Sequence, residues 1–244
     1  KNALQFWPSP FKSENVANGE GFPGWHIECS VIAESFLGKT LDIHMGGVEH
    51  IPIHHPNEIA QSETANEQKF ANYWLHNEHL LVNDRKMSKS EGTGFSLQEI
   101  QDRGFDPMDL RYFFLTAHYR SKQNFTWEAL EAAKNARTKL INQLRTITGK
   151  GQVNSKLKDQ FLVAIKDDVN IPNALAIVWE VLKSNILETD KKATILDFDQ
   201  VLGLKLKESL LEKEAKLSEA EKTQVKELLA QREAARKTRD FAQS

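Results

Sequence analysis

The sequence HHPNE at residues 54–58 and the sequence KMSKS at residues 86–90 lie in one stretch, Cys29 to Ser90, around which the rest of the chain is interpreted. A soft ligand, an imidazole and a carboxylate come first, and a loop with two lysines follows them. This order indicates a metal site beside a place where the phosphates of a nucleotide are handled.

Three side chains of this stretch are of types that commonly bind zinc: Cys29, His54 and Glu58. His54 and Glu58 are four residues apart, so they share one face of a helix and can converge on one ion. His55 is a rival ligand, because it lies three residues from Glu58. The spacing also permits a plainer interpretation, in which Cys29 is a small buried hydrophobe and the others are surface polar residues.

The KMSKS loop carries Lys86 and Lys89 and is followed by a glycine, Gly92. A cationic loop of this kind can stabilise the charge that develops on a leaving pyrophosphate. An exposed basic turn is the other interpretation. Gly46 and Gly47 follow a predicted strand and would let a ligand approach the backbone closely, although a plain turn explains them as well.

Alternating strands and helices in the first part of the chain predict half of a parallel α/β sheet. Residues 25–37 have the pattern of a helix that Gly38 ends. Residues 40–47 are β-rich and lead into a tight turn, and residues 54–65 predict a helix with Pro56 in its first turn.

Beyond residue 105 the apolar residues recur at helical spacing and predict an all-α bundle. One helix begins at Asp106-Pro107, and further helices are predicted at about 127–147, 155–168, 172–187 and 217–240. The predicted domains are therefore residues 1–105, α/β with the KMSKS loop, and residues 106–244, helical.

Composition limits the function classes. The 244 residues carry a net charge of −2, so any contact with RNA must come from a local patch. Arg232, Arg236, Lys237 and Arg239 could form one, although a solvated helix face is the plainer interpretation of most of this region. One cysteine and no long apolar run predict a cytoplasmic protein without a membrane contact.

Five ordered motifs then resemble cysteinyl-tRNA synthetase, a class I aminoacyl-tRNA synthetase: PGWHIECS, GG-x-E-x(4)-HHPNEIAQSE, FANYWLHN, KMSKS and DPMDLRYFFLTAHYRS. The resemblance implies the later half of a Rossmann-type catalytic domain in residues 1–105 and a tRNA-facing helical domain in 106–244. It implies ATP-dependent activation of cysteine, transfer to tRNA(Cys), and a monomer.

The resemblance also implies roles for single residues. The family binds zinc through two cysteines, a histidine and a glutamate, and Cys29, His54 and Glu58 occupy three of those positions. Lys89 matches the lysine tied to ATP, with Lys86 in support.

Other matching positions line the substrate pockets. His44, Gly46 and Gly47 resemble the segment along the adenosine pocket, and Trp25 resembles a wall of the cysteine pocket. Glu49, also on the substrate side, stands where the family usually has an aspartate, one methylene shorter.

Two expected features of the family are missing from this sequence: the HIGH-type ATP motif and the other zinc cysteine. We therefore expect a fragment, truncated at both ends and inactive by itself. Two alternatives remain at this point: the related cysteine ligase of mycothiol biosynthesis, and a non-catalytic remnant that binds zinc or tRNA.

Overall fold

The computed structural model describes residues 7–8, 20–21, 24–87 and 94–211. Its elements are β1 Trp7–Pro8, β2 Glu20–Gly21, α1 Ile27–Leu37, β3 Leu41–Gly47, a 3-10 turn Val48–His50, α2 His54–Asn66, β4 Ala71–Asn77, β5 Leu80–Val82, β6 Arg85–Lys86, α3 Leu97–Asp102, α4 Pro107–Leu115, β7 Gln123–Phe125, α5 Trp127–Arg145, α6 Ser155–Lys166, α7 Ile171–Lys183, α8 Glu188–Leu202 and α9 Leu206–Leu211. No helix of the described residues is long and apolar enough to cross a membrane.

The first part is organised by a parallel pair of strands, β3 and β4, joined by α2. Side chains alternate along a strand, so Trp74 and His76 lie on the same face of β4. His44 of β3 lies on this face too, and α2 covers it. Gly38, with φ of 90°, follows α1, and Pro56 lies in the first turn of α2. The predicted helices and strand of this part are confirmed.

The second part is helical, and its core is formed by apolar residues of α4 to α9. The predicted helices near Asp106, 127–147, 155–168 and 172–187 are confirmed, with ends that differ by a few residues. Helix α8 was not predicted, because it begins with charged residues and has no side-chain cap at Leu187. The predicted helix 217–240 lies outside the described residues.

A short strand, β7, was also not predicted, since Gln123–Phe125 is only three residues long. It pairs in parallel with β5 and so joins the two parts of the chain. Val82 and Ile100 belong to the same core as the helices that follow. The division at residues 105 and 106 stays a prediction, and the α/β part and the helices pack against one another through β7.

Candidate metal centre

Two helix starts bring the three predicted metal ligands together. Cys29 lies in the first turn of α1, and His54 and Glu58 lie one turn apart at the start of α2. One ligand atom of each lies within 4.8 Å of the others. The arrangement follows from the packing of α1 against α2 and from the four-residue spacing of His54 and Glu58.

Glu58 is fully buried, and its two carboxylate oxygens have different surroundings. Oε2 accepts a hydrogen bond from His44 Nε2 at 2.9 Å. Oε1 has no hydrogen-bond partner in the described part of the chain and lies 3.5 Å from His54 Nε2. A buried carboxylate oxygen without a partner is costly, so this oxygen is suited to a cation. Thiolate, imidazole and carboxylate together fit zinc.

A second group shares Glu58 with the first. His44, His55 and Glu58 also have ligand atoms within 4.8 Å of one another. His55 Nε2 lies 3.8 Å from Glu58 Oε2, and its Nδ1 is 2.7 Å from His76 Nε2. Both His54 and His55 therefore remain candidates for the histidine that binds a metal together with Glu58.

The pKa values of His55 and Cys29 are shifted in opposite directions. Burial is the main cause that lowers the pKa of His55 to about 4; Glu58 opposes the shift, and the neighbouring histidines His44, His76 and His50 add to it. The pKa of Cys29 is raised by burial, then by the charges of Glu58 and Glu28. A cation beside Cys29 would lower the pKa of this thiol again and so favour the thiolate, which is the form that binds a metal.

Trp25 does not belong to the core. Its side chain is 78% exposed and stacks on His26, with ring centroids 5.7 Å apart. The Nδ1 atom of His26 lies 2.7 Å from Nδ1 of His54. The structure thus connects the predicted substrate residue Trp25 to the metal group through His26.

The two glycines that end β3, Gly46 and Gly47, lie close to neighbouring side chains. A Cβ atom on Gly46 would come within 2.6 Å of the His55 ring, and one on Gly47 would collide with the Glu49 carboxylate. Glu49 itself has His79 Nε2 3.8 Å from its Oε2. Close packing against the His55 ring therefore accounts for Gly46, whereas the flexible end of Glu49 can move away from a side chain at position 47. The predicted contact of both glycines with a nucleotide stays a prediction.

Of the two predicted catalytic lysines, the structure describes only the backbone of Lys86. Lys86 belongs to β6, and its side chain lies outside the described part. Lys89 also lies outside the described residues, as do Ser88 and Ser90. Their predicted roles stay predictions.

Three histidines of the cluster were missed by the sequence analysis: His26, His50 and His76. They come from the approach to α1, the turn after β3 and β4, and their rings contact His54 or His55. The one available signal was the number of histidines between residues 26 and 79, seven of the eight in the chain. Their convergence depends on the fold.

The family model and the curated relatives agree on one family. Residues 2–135 match the model of the tRNA synthetases class I (C) catalytic domain. The chain is 43% identical over 240 residues to cysteine–tRNA ligase 1 of Burkholderia lata, covering 98% of this chain and 48% of that protein. It is 36% identical over 270 residues to the cysteine–tRNA ligase of Treponema denticola, covering 99% and 54%.

The chain thus spans about half the length of these relatives. A solved ternary complex of Agrobacterium radiobacter K84 LeuRS with tRNA and LeuAMS covers 69% of this chain and 26% of that one, at 15% identity and a TM-score of 0.49. From the matched domain and the identity over nearly the whole chain, this protein belongs to the class I cysteinyl-tRNA synthetase family.

Proposed function

We propose that the chain is the zinc-binding and KMSKS-bearing part of a cysteine–tRNA ligase, which activates cysteine with ATP and transfers it to tRNA(Cys). The observation that carries the proposal is the convergence of Cys29, His54 and the unpartnered Oε1 of buried Glu58. In a family whose relatives are named for cysteine, a soft-ligand site has a clear use.

The site would allow the enzyme to discriminate cysteine from serine. Cysteine and serine differ by one atom, and an apolar pocket separates such near-isosteres poorly. A zinc ion held by Cys29, His54 and Glu58 would bind a thiolate in preference to a hydroxyl. These three residues would hold the ion, and Trp25, which is exposed beside His26, would form a wall of the cysteine pocket.

The remaining residues handle the nucleotide and the amino acid. Glu49 lies in the 3-10 turn that follows β3, and its carboxylate would pair with the substrate's ammonium group. Lys89, supported by Lys86, would meet the negative charge on the departing pyrophosphate. His44, Gly46 and Gly47 would lie along the adenosine.

The partners of this function are cysteine, ATP and tRNA(Cys). We place the protein in the cytoplasm and propose that it acts as a monomer without a membrane contact. The relatives reported above are cysteine–tRNA ligases, and nothing in them favours the ligase of mycothiol biosynthesis.

The experiment that tests the proposal is a comparison of bound zinc and of ligand choice. The chain is dialysed against metal-free buffer, and its zinc is measured for wild type, Cys29→Ser and the matched control Ser35→Ala, an exposed serine on the same helix. We expect Cys29→Ser to lose most of the zinc, because a hydroxyl replaces a thiolate, and Ser35→Ala to keep it.

Cysteine and serine binding are then compared by calorimetry, with and without zinc. We expect cysteine to bind only when zinc is present, and serine not at all. Equal zinc in wild type and Cys29→Ser, or serine bound as well as cysteine, would refute the proposed site.

A further inference from the structure

Two histidines beside the metal group have hydrogen bonds that leave the ligand atoms facing one another. His44 contacts Oε2 of Glu58, and His26 contacts Nδ1 of His54. The two atoms that remain, Glu58 Oε1 and His54 Nε2, are 3.5 Å apart. We propose that His44 and His26 are positioning residues that orient Glu58 and His54 toward a metal ion without binding it. This inference rests on the metal site of the proposed function.

His44 contacts a Glu58 side chain that is completely buried. A carboxylate with no exposed surface needs a partner for each oxygen, and rotation about its last side-chain bond would exchange the two. When His44 donates its Nε2–H to Oε2 at 2.9 Å, that rotation is stopped. Oε1 is then held toward His54 and Cys29.

The His44 ring is itself held firmly. Its neighbours include the rings of Phe70 and Trp74, with centroids 5.3 Å and 4.9 Å away. It comes from β3, and Glu58 comes from α2, so the hydrogen bond also joins the strand to the helix that carries the ligands. Ligands oriented in this way bind a metal more tightly.

His26 acts on the tautomer of His54. When His54 donates its Nδ1–H to Nδ1 of His26, the lone pair of His54 Nε2 is left for a cation. The His26 ring stacks on Trp25, which lies nearly parallel to it, with 8° between the planes. The proposal therefore favours His54 over His55 as the ligand.

The rival arrangement has a corresponding histidine of its own. His76 contacts Nδ1 of His55, as His26 contacts Nδ1 of His54. A metal held by His44, His55 and Glu58 would depend on His76 and would use His44 as a ligand. His76 is thus a matched control, since it is a histidine of the same cluster with a different partner.

The test measures zinc affinity by competition with a chromophoric chelator. The variants are His44→Leu, His26→Leu, His44→Gln and the control His76→Leu, each checked for folding by circular dichroism. We expect His44→Leu and His26→Leu to weaken zinc binding by roughly 10- to 100-fold. His44→Gln should recover part of the loss, because its amide N–H can still donate, and His76→Leu should stay within about threefold of wild type.

Cobalt in place of zinc separates positioning from ligation. Because the ligand set is unchanged, the visible bands of the cobalt form should keep their positions in His44→Leu and His26→Leu, although more cobalt is needed to reach them. Shifted bands in His44→Leu would make His44 a ligand and overturn the proposal. Wild-type affinity in His44→Leu and His26→Leu, or an equal loss in His76→Leu, would overturn it too.

These outcomes are distinct from failure of the proposed function. If wild type binds no zinc, both the metal site and this inference are wrong. If wild type binds zinc through Cys29 but the histidine variants bind it equally well, only the inference is wrong.

Discussion

At the scale of single residues, the histidines differ by the atoms they contact. His44 contacts a carboxylate, while His55 contacts another imidazole at 2.7 Å. His55 is buried, and burial lowers its pKa to about 4, so it is neutral at physiological pH. The same side chain can thus be a donor, an acceptor or a ligand according to its neighbours.

The low pKa of His55 predicts a pH-dependent stability. Between about pH 6.5 and pH 4, unfolded His55 takes up a proton that the folded protein excludes. The free energy of unfolding should therefore fall as the pH falls through this window, by at most about 3 kcal/mol from His55. Urea denaturation of the metal-free chain at several pH values measures it.

The comparison for that measurement is His55→Gln, with His79→Gln as a control at a half-exposed histidine. His55→Gln should flatten the pH dependence and His79→Gln should not. An unchanged dependence in His55→Gln would show that the titration of His55 does not control acid stability.

Lys89 supports a second prediction at this scale, for the full-length protein. A lysine that meets charge only on the leaving pyrophosphate lowers the barrier without tightening ATP binding. Lys89→Ala should slow ATP–pyrophosphate exchange by roughly 10² to 10³. Transfer from preformed adenylate to tRNA should change little, because pyrophosphate has already left.

The two half-reactions are measured separately, and Lys69→Ala, a lysine before β4, is the control. If Lys89→Ala slows transfer as much as activation, its role in the pyrophosphate step is wrong.

At the scale of elements, side-chain caps define several helix starts. Ser96 and Glu99 form a capping box on α3, and Asp106 and Asp109 form one on α4. Thr126 caps α5, the longest helix described. Such caps are local in sequence, which is why the start of α4 at Asp106-Pro107 could be predicted.

The packing of α5 on α4 depends on a buried ion pair. Arg137 Nη1 lies 3.1 Å from Asp109 Oδ1, and both side chains are largely hidden from solvent. Arg137→Ala would leave the Asp109 carboxylate buried without its cation, so we expect a loss of about 3 kcal/mol or more in the free energy of unfolding. Lys134→Ala, at a more exposed lysine on the same helix, should cost less than about 0.5 kcal/mol.

Urea denaturation of both variants at neutral pH checks this prediction. A cost for Arg137→Ala no larger than for Lys134→Ala would mean that water or movement of α4 compensates for the lost cation.

At the scale of the whole molecule, charge limits how the proposed binding of tRNA could occur. The chain has 32 lysines and arginines against 34 acidic residues, so its average field does not attract RNA. Contacts must come from a local group of cations that neutralises phosphates.

We expect the chain to bind tRNA weakly, with an affinity that falls steeply as salt rises. The double variant Arg232→Gln/Arg236→Gln should reduce the slope of log affinity against log salt by about 1 to 2, since each lost phosphate contact removes about 0.9. Lys158→Gln is the control, because Lys158 already pairs with Asp197 at 3.0 Å.

Fluorescence anisotropy with labelled tRNA at several salt concentrations provides the slopes. Affinity that is independent of salt, or equal slopes in the double variant and wild type, would contradict binding through these phosphates.

The sequence by itself determined the class of the fold, the starts of most helices and the three candidate metal ligands. Those features depend on local pattern: helical spacing, caps, and two residues four apart on α2. The tertiary structure decided what the pattern could not, because contacts between elements are distant in sequence. It brought Cys29 to α2, paired β7 with β5, and placed His44 and His26 against Glu58 and His54.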